Sequence, residues 1–249
     1  MLGRQGAGAL GRLGTPGRQS PRRRQGRQRG ARASAVPVRV LPADPDEGRR
    51  CLLQLQVTAR SVLGVLTLHR GGLVLDDGWL RVYGAGGADG GLPSLGRVNG
   101  FPEEPDPHWH PAAGLVVGPD VLGGVFCLNG HDPAGSGRPG DPGQTTYFAP
   151  DTLEWEALDV GHSAWIGWLL GGGPERFYAG LRRQGWREEA ASLELTQGIS
   201  VVPFLWSEEA HEDLAATGRR AVALREVVGV SADFARRLGP ADPRFLGES

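Results

Sequence analysis

Two short groups of acids, each beside a tryptophan, are the residues of this chain whose types and spacing could do chemistry. Asp76 and Asp77 precede Trp79, and Asp151, Glu154 and Glu156 surround Trp155. Paired carboxylates can divide general-acid and general-base work, or act on a glycosidic bond from opposite faces, when a fold sets them at the right separation. The local sequence gives each acid a plainer use. Asp77-Gly78 is a hairpin-turn pair, Asp151-Thr152 opens a turn after Pro150, and Glu154 and Glu156 alternate along a strand as a solvated face. The plainer use outweighs catalysis, so no catalytic residue is assigned.

The histidines give little more. His108 and His110 follow Glu103, Glu104 and Asp106, and imidazole with carboxylate suits zinc or manganese. Two histidines one residue apart point opposite ways on an extended chain, however, and four prolines interrupt the segment, so a solvated loop is expected and no metal. His162-Ser163 holds two members of a nucleophile–base pair, but no G-x-S-x-G elbow exists, and Ser163 is expected to cap the following helix. His211 lies among Glu208, Glu209, Glu212 and Asp213 and reads as a surface helix position. The chain contains no lysine, which removes both the phosphate-binding P-loop and Schiff-base chemistry. The glycine-rich run 84–91 lacks the helix entry of a dinucleotide site. Cys51 and Cys127 lie in apolar runs and read as buried thiols in a reducing compartment. No cofactor is expected.

The charge is divided. Residues 1–36 hold nine arginines and no acid, whereas the rest of the chain sets 18 arginines against 28 acids. An acidic body argues against nucleic acid as its partner and suits a basic protein; nucleic acid remains open only for the Arg-rich tail. Residues 1–36 offer too little apolar surface to offset ordering and are expected to be disordered. Three origins fit them: a nucleic-acid or anionic-surface tail, a transit peptide, and the translation of a wrong start or frameshift in GC-rich DNA, the last being favoured. No apolar run reaches the roughly 20 residues of a membrane helix, and no signal-peptide core is present, so the expected location is the cytoplasm, with no membrane partner.

The elements that must position these residues are short. A strand is expected at 38–42, then a helix within 47–59 behind Asp44 and Asp46, with Leu52, Leu55 and Ala59 on its inner face. Strands follow at 65–69, 73–75 and 79–84, and a Gly/Pro-rich connection fills 85–114. Further strands are expected at 115–118, 125–130, 145–149 and 152–158, the last with Leu153, Trp155 and Ala157 on one side. Helices are expected at 162–172, 174–183, within 187–195 and over 222–239, the last with Leu224, Val227, Val228 and Phe234 inward. A strand-like run at 198–206 is interrupted by Pro203. The domain division is 1–36 as tail, 37–240 as an α+β domain and 241–249 as a C-terminal tail.

Several of these words together resemble a known family. QVTARSVLGVLTLHRGGLVLDDGWLRVYGAG, GLVVGPDVLGGVFCLNG, TTYFAPDTLEWEALDVGHSAWIGWLLGG and PFLW occur in the order of the bacterial family of unknown function DUF2625, over about Val38 to Gly239. Residues 1–36 do not look like the usual start of that family, a helical, Trp-containing segment. The order of apolar strand, F-x-L-N-G, loop, Y-F-x-P-D-T-x-E-W-E and Trp-bearing helix is also similar to the SUKH superfamily. That likeness implies an α+β domain with a twisted, mostly antiparallel sheet and helices packed beside it, and many of its members are implied to be immunity proteins that neutralise toxins. The leading expectation is therefore a non-enzymatic protein-binding module for a basic, toxin-like partner, with a contact face around Asp76, Asp77, Trp79, Asp151, Glu154, Trp155 and Glu156. The alternative is a hydrolase using carboxylates with His108 or His162.

Overall fold

The computed structural model describes residues 34–87, 91–111, 113–238 and 242–248. The Arg-rich segment expected to be disordered lies outside these residues as far as position 33. From Ser34 the chain is held: Ala35 donates its N–H to Leu170 O at 2.8 Å, and Val36 belongs to the core.

Strand β1 (Val38–Leu41) forms at the expected place and leads into helix α1 (Pro45–Leu55). The Asp44 carboxylate caps that helix by accepting from the N–H groups of Asp46 and Glu47 at 3.0 and 3.1 Å, and Pro45 takes the first turn, where no N–H is needed. Its buried side is Gly48, Cys51 and Gln54; of the expected Leu52, Leu55 and Ala59, Leu55 packs half-buried against the core, Leu52 is half-buried and Ala59 is exposed beyond the helix. Gln54 is inside because it serves a loop: its amide donates to Asp106 O and accepts from Asp106 N, at 2.8 and 2.7 Å. Leu53 is left in solvent.

Residues 65–69 were expected as a strand and are part of helix α2 (Val62–His69). Ser61 caps it by accepting from Gly64 N–H at 3.0 Å, and Leu63, Leu66 and Thr67 are buried. A short apolar run has no period that separates a buried strand from a buried helix. Strand β2 (Gly72–Leu75) then turns through Asp76–Gly78 into β3 (Leu80–Tyr83), giving an antiparallel sheet in the order β1-β2-β3.

After helix α3 (Leu95–Val98) come β4 (Leu115–Pro119), β5 (Val125–Leu128), β6 (Gln144–Ala149) and β7 (Glu154–Gly161), antiparallel and in that order. The two sheets meet at β3 and β4. Leu80 and Asp120 form a bridge, Val121 N–H donates to Trp79 O at 3.0 Å, and Gly118 lies so close to β3 that a Cβ there would be 2.1 Å from Arg81 O. The expected α+β architecture of mostly antiparallel strands with helices beside them is what the chain adopts.

Helix α4 (His162–Leu170) packs on β6, β7 and α2, burying His162, Trp165, Ile166 and Leu169. Its cap position is Gly161, so Ser163 does not cap it as expected; Ser163 is an exposed residue of the first turn. The expected helix 174–183 is only α5 (Gly173–Phe177), which ends so that Tyr178 and Leu181 can turn inward, and α6 (Trp186–Ala191) follows. Strand β8 (Gln197–Val202) ends at Pro203, and helix α7 (Glu208–Glu212) leads towards β9 (Gly218–Ala223), its hairpin partner. Most of β9 falls where no element was expected, and the final helix was expected to begin at Val222; helix α8 (Leu224–Leu238) buries the stripe Leu224, Val228, Ser231 and Ala235. Val227 and Phe234, expected inward, stand half-buried at the stripe's edges.

The segment expected as a C-terminal tail is packed on the body over residues 242–248. Pro243 O accepts from Trp155 Nε1 at 3.2 Å, Phe245 O accepts from Arg138 at 2.8 Å, and Glu248 N–H donates to Val98 O at 2.7 Å.

Candidate functional site

The seven residues expected to form one contact face occupy two separate places. The first is the β2–β3 bend, which packs under α6. Asp76, Asp77 and Gly78 all take positive φ, at 56, 57 and 96°, a conformation that aspartate tolerates better than most side chains and glycine freely. This bend turns Asp76 inward, against Arg182, in an ion pair whose two side chains are 6 and 5% exposed. The Arg182 guanidinium also lies 3.7 Å from the Trp186 ring, 4.8 Å from Trp79 and 5.2 Å from Tyr178. Burial lowers the guanidinium pKa and the Asp76 charge opposes that shift. Trp79 has no exposed surface, and its ring edges meet Tyr178 and Trp186 at 5.6 and 5.3 Å. Neither Asp76 nor Trp79 can therefore touch a partner: both belong to a charge-neutral block that anchors the bend. Asp77 alone of this set reaches the surface, 3.5 Å from Arg187 Nε.

The second place is the far edge of the larger sheet. Asp151 lies in the turn before β7, Glu154 is exposed at the strand's start, and Glu156 is half-buried opposite Tyr147. Trp155 and Ala157 point to the other face, as the alternation predicts. Trp155 is partly covered, stacked edgewise on Phe148 at 5.5 Å and overlain by the Arg138 guanidinium at 4.3 Å. Two extra residues bulge β7 between Ala157 and Gly161, and Asp159, at φ 54°, projects there into solvent.

The histidines do not converge with these acids. His108 and His110 are exposed in the 101–111 loop, where Asp106 accepts from His108 N–H at 2.8 Å. Among the described residues no group of three or more His, Cys, Asp or Glu side chains is placed to hold a metal ion. His162 is buried against Trp165, with no partner for Nδ1, and burial depresses its pKa to about 4. His211 lies on the surface of α7. Both cysteines are buried and free, and burial raises Cys127 to about 11 despite the adjacent Arg138.

One polar hub has no surface. The Asp120 carboxylate accepts from the N–H groups of Leu122 and Gly124 and from the hydroxyls of Tyr147 and Tyr178, at 2.8, 3.0, 2.5 and 3.0 Å. It is fully buried at the junction of the two sheets, where it joins β4–β5, β6 and the chain after α5. Its role is to hold strands together, and nothing about a single Asp before Val-Leu-Gly-Gly announces it.

A family model described as a protein of unknown function, DUF2625, matches residues 27–227, taking in part of the Arg-rich segment. The chain belongs to the DUF2625 family. A relative from Escherichia coli K12, "Putative uncharacterized protein YbfG", is 38% identical over 195 residues, 76% of this chain and 80% of the relative. An "Uncharacterized protein" of Haemophilus influenzae is 29% identical over 169 residues, covering 67 and 70% of the two chains. No solved structure matches the chain. No helix of this DUF2625 protein is, among the described residues, long and apolar enough to cross a membrane.

Sequence reasoning missed the arginines. Arg81, Arg138, Arg182 and Arg219 are buried, while the buried carboxylates are Asp76 and Asp120. Arg81 donates to the carbonyls of Gln197 and Glu194 at 2.6 and 3.2 Å, so it binds backbone where a carboxylate would be expected. Among the described residues more cationic than anionic side chains are thus buried.

Proposed function

We propose that this DUF2625 protein is a non-enzymatic protein-binding module whose acidic edge at β7 receives a basic partner, in the manner of an immunity protein. The observation that carries the reading is the end of the larger sheet, where Asp151, Glu154, Glu156 and Asp159 gather at and along β7. Carboxylates set along a strand at the end of a sheet favour a positively charged segment of another chain. The same acids repel a second copy of this edge, so attraction and rejection act together.

A hydrolase has less support. Asp76 is neutralised by Arg182, His162 is sealed beside Trp165, and His108 stands in an exposed loop remote in sequence from both carboxylate sets. The test is affinity capture with the full chain from host lysate at moderate salt, run in parallel with Glu154→Arg and Asp159→Arg. Recovery of one stoichiometric basic protein by the wild type, lost with either variant, supports the reading. Equal recovery by wild type and variants, or none above background, refutes it.

A further inference from the structure

Within a body of 28 acids and 18 arginines, one cleft is lined by an arginine, a histidine and two aromatic rings, with no carboxylate among its walls. It encloses about 600 Å³ between residues 109–111 and 113–114, the 135–136 turn and the C-terminal segment, with Trp109, His110, Gly114, Ser136, Arg244 and Phe245 among its walls. The volume falls in the range of small-molecule sites. The Trp109 ring is fixed by Phe101, 5.0 Å away and edge-on. Arg244 is exposed and forms no ion pair among the described residues.

Beneath the floor lies a second guanidinium. Arg138 is 3% exposed and donates to the carbonyls of Ala113 and Phe245, two residues of the cleft wall, and to Cys127 Sγ. A Cβ on Gly114 would stand 3.0 Å from its Nη1, and its Nε has no partner. No carboxylate pairs with it among the described residues, so its charge is offset only by carbonyl dipoles, a thiol and the Trp155 ring. The acids in the flanking loops are occupied with turns: Asp132 accepts from Gly135 N–H, Asp242 from Arg244 N–H and Asp106 from His108 N–H, at 2.9, 2.8 and 2.8 Å. A buried cation with no carboxylate partner costs the fold free energy, and an anion placed on the wall above it would offset that cost.

We propose that this cleft binds a small organic anion, a phosphate monoester or carboxylate carried on a flat ring. The acid group sits over Arg244 and the field of Arg138, within reach of His110 and Ser136, and the ring lies against Trp109 and Phe245. This site adjoins β7 through Arg138 and Trp155 and does not depend on the protein-binding reading.

The test is calorimetric titration of the full chain, in low-salt buffer, with phenyl phosphate, benzoate and inorganic phosphate. Saturable one-site binding of phenyl phosphate or benzoate, tighter than that of inorganic phosphate, is expected, and which of the two binds better identifies the acid group. Arg244→Gln should weaken it at least about tenfold, or about 1.4 kcal/mol. Trp109→Ala should weaken the ring compounds and leave inorganic phosphate unchanged. Arg244 is exposed, so circular dichroism and melting of that variant should match the wild type. Absence of saturable binding by ring-bearing anions up to concentrations on the order of 10 mM, affinities untouched by Arg244→Gln, or inorganic phosphate binding as tightly as phenyl phosphate would each overturn the proposal.

Discussion

Protonating His162 must cost this fold stability, and the cost can be worked out. The imidazole opens α4, is 8% exposed, faces Trp165 and leaves Nδ1 without a partner. A cation there loses water and also meets the positive end of the helix. The folded pKa is about 4, against an ordinary 6.5. Between those values the unfolded chain binds the proton and the folded chain does not, so stability is full above pH 6.5 and drains as the pH falls towards 4. The whole shift corresponds to about 3.4 kcal/mol, of which about 2.5 is lost between pH 7 and pH 4.5. Urea unfolding followed by far-ultraviolet circular dichroism at those two pH values should therefore show the wild type losing about 2.5 kcal/mol more than His162→Leu. The carboxylates titrate in both proteins and cancel in the comparison. Equal losses in the two proteins would refute the argument that burial alone sets this histidine's charge.

Two packing predictions accompany it. Gly124→Ala would place a Cβ 2.1 Å from Tyr147 Oη and 2.2 Å from Asp120 Oδ2, and should lower stability by about 3 kcal/mol or more in thermal melts. Arg182→Ala leaves Asp76 charged and buried and should cost about 3–5 kcal/mol in urea, part of which Asp76→Asn recovers in the double variant; a loss under about 1 kcal/mol would mean the pair is not sealed from water. By the same reasoning Arg187→Ala, whose partner Asp77 is at the surface, should cost less than about 1 kcal/mol.

What the sequence disclosed followed from period and punctuation. The acids at Asp44 and Asp46, the Asp77-Gly78 pair and the alternation through Trp155 each act over a few residues, and each placed its element correctly. Misreadings arose where distant contacts decide. Residues 65–69 are apolar enough for either a strand or a helix, and packing against α1 and α4 selects the helix. Gln54 looks like a solvent residue until the 106–109 backbone requires it. For the candidate face, Glu154 was legible as a surface acid because a strand start exposes it, and Asp151 stands half-buried in the turn before it. Asp76 and Trp79 were not legible, because only the positive φ angles at Asp76 and Asp77 turn the first carboxylate towards an arginine 106 residues away. Arg138 and Arg244 sit in irregular segments, where no periodicity marks a residue as inward or as part of a wall.

The junction at β3 and β4 governs how the molecule comes apart. The bridge from Leu80 to Asp120, the close passage of Gly118 beneath Arg81 and the tyrosine hydroxyls gathered on Asp120 leave the two sheets no boundary along which to separate. Melting is consequently expected as a single event, with Trp79 on one side of the junction and Trp165 on the other reporting the same midpoint.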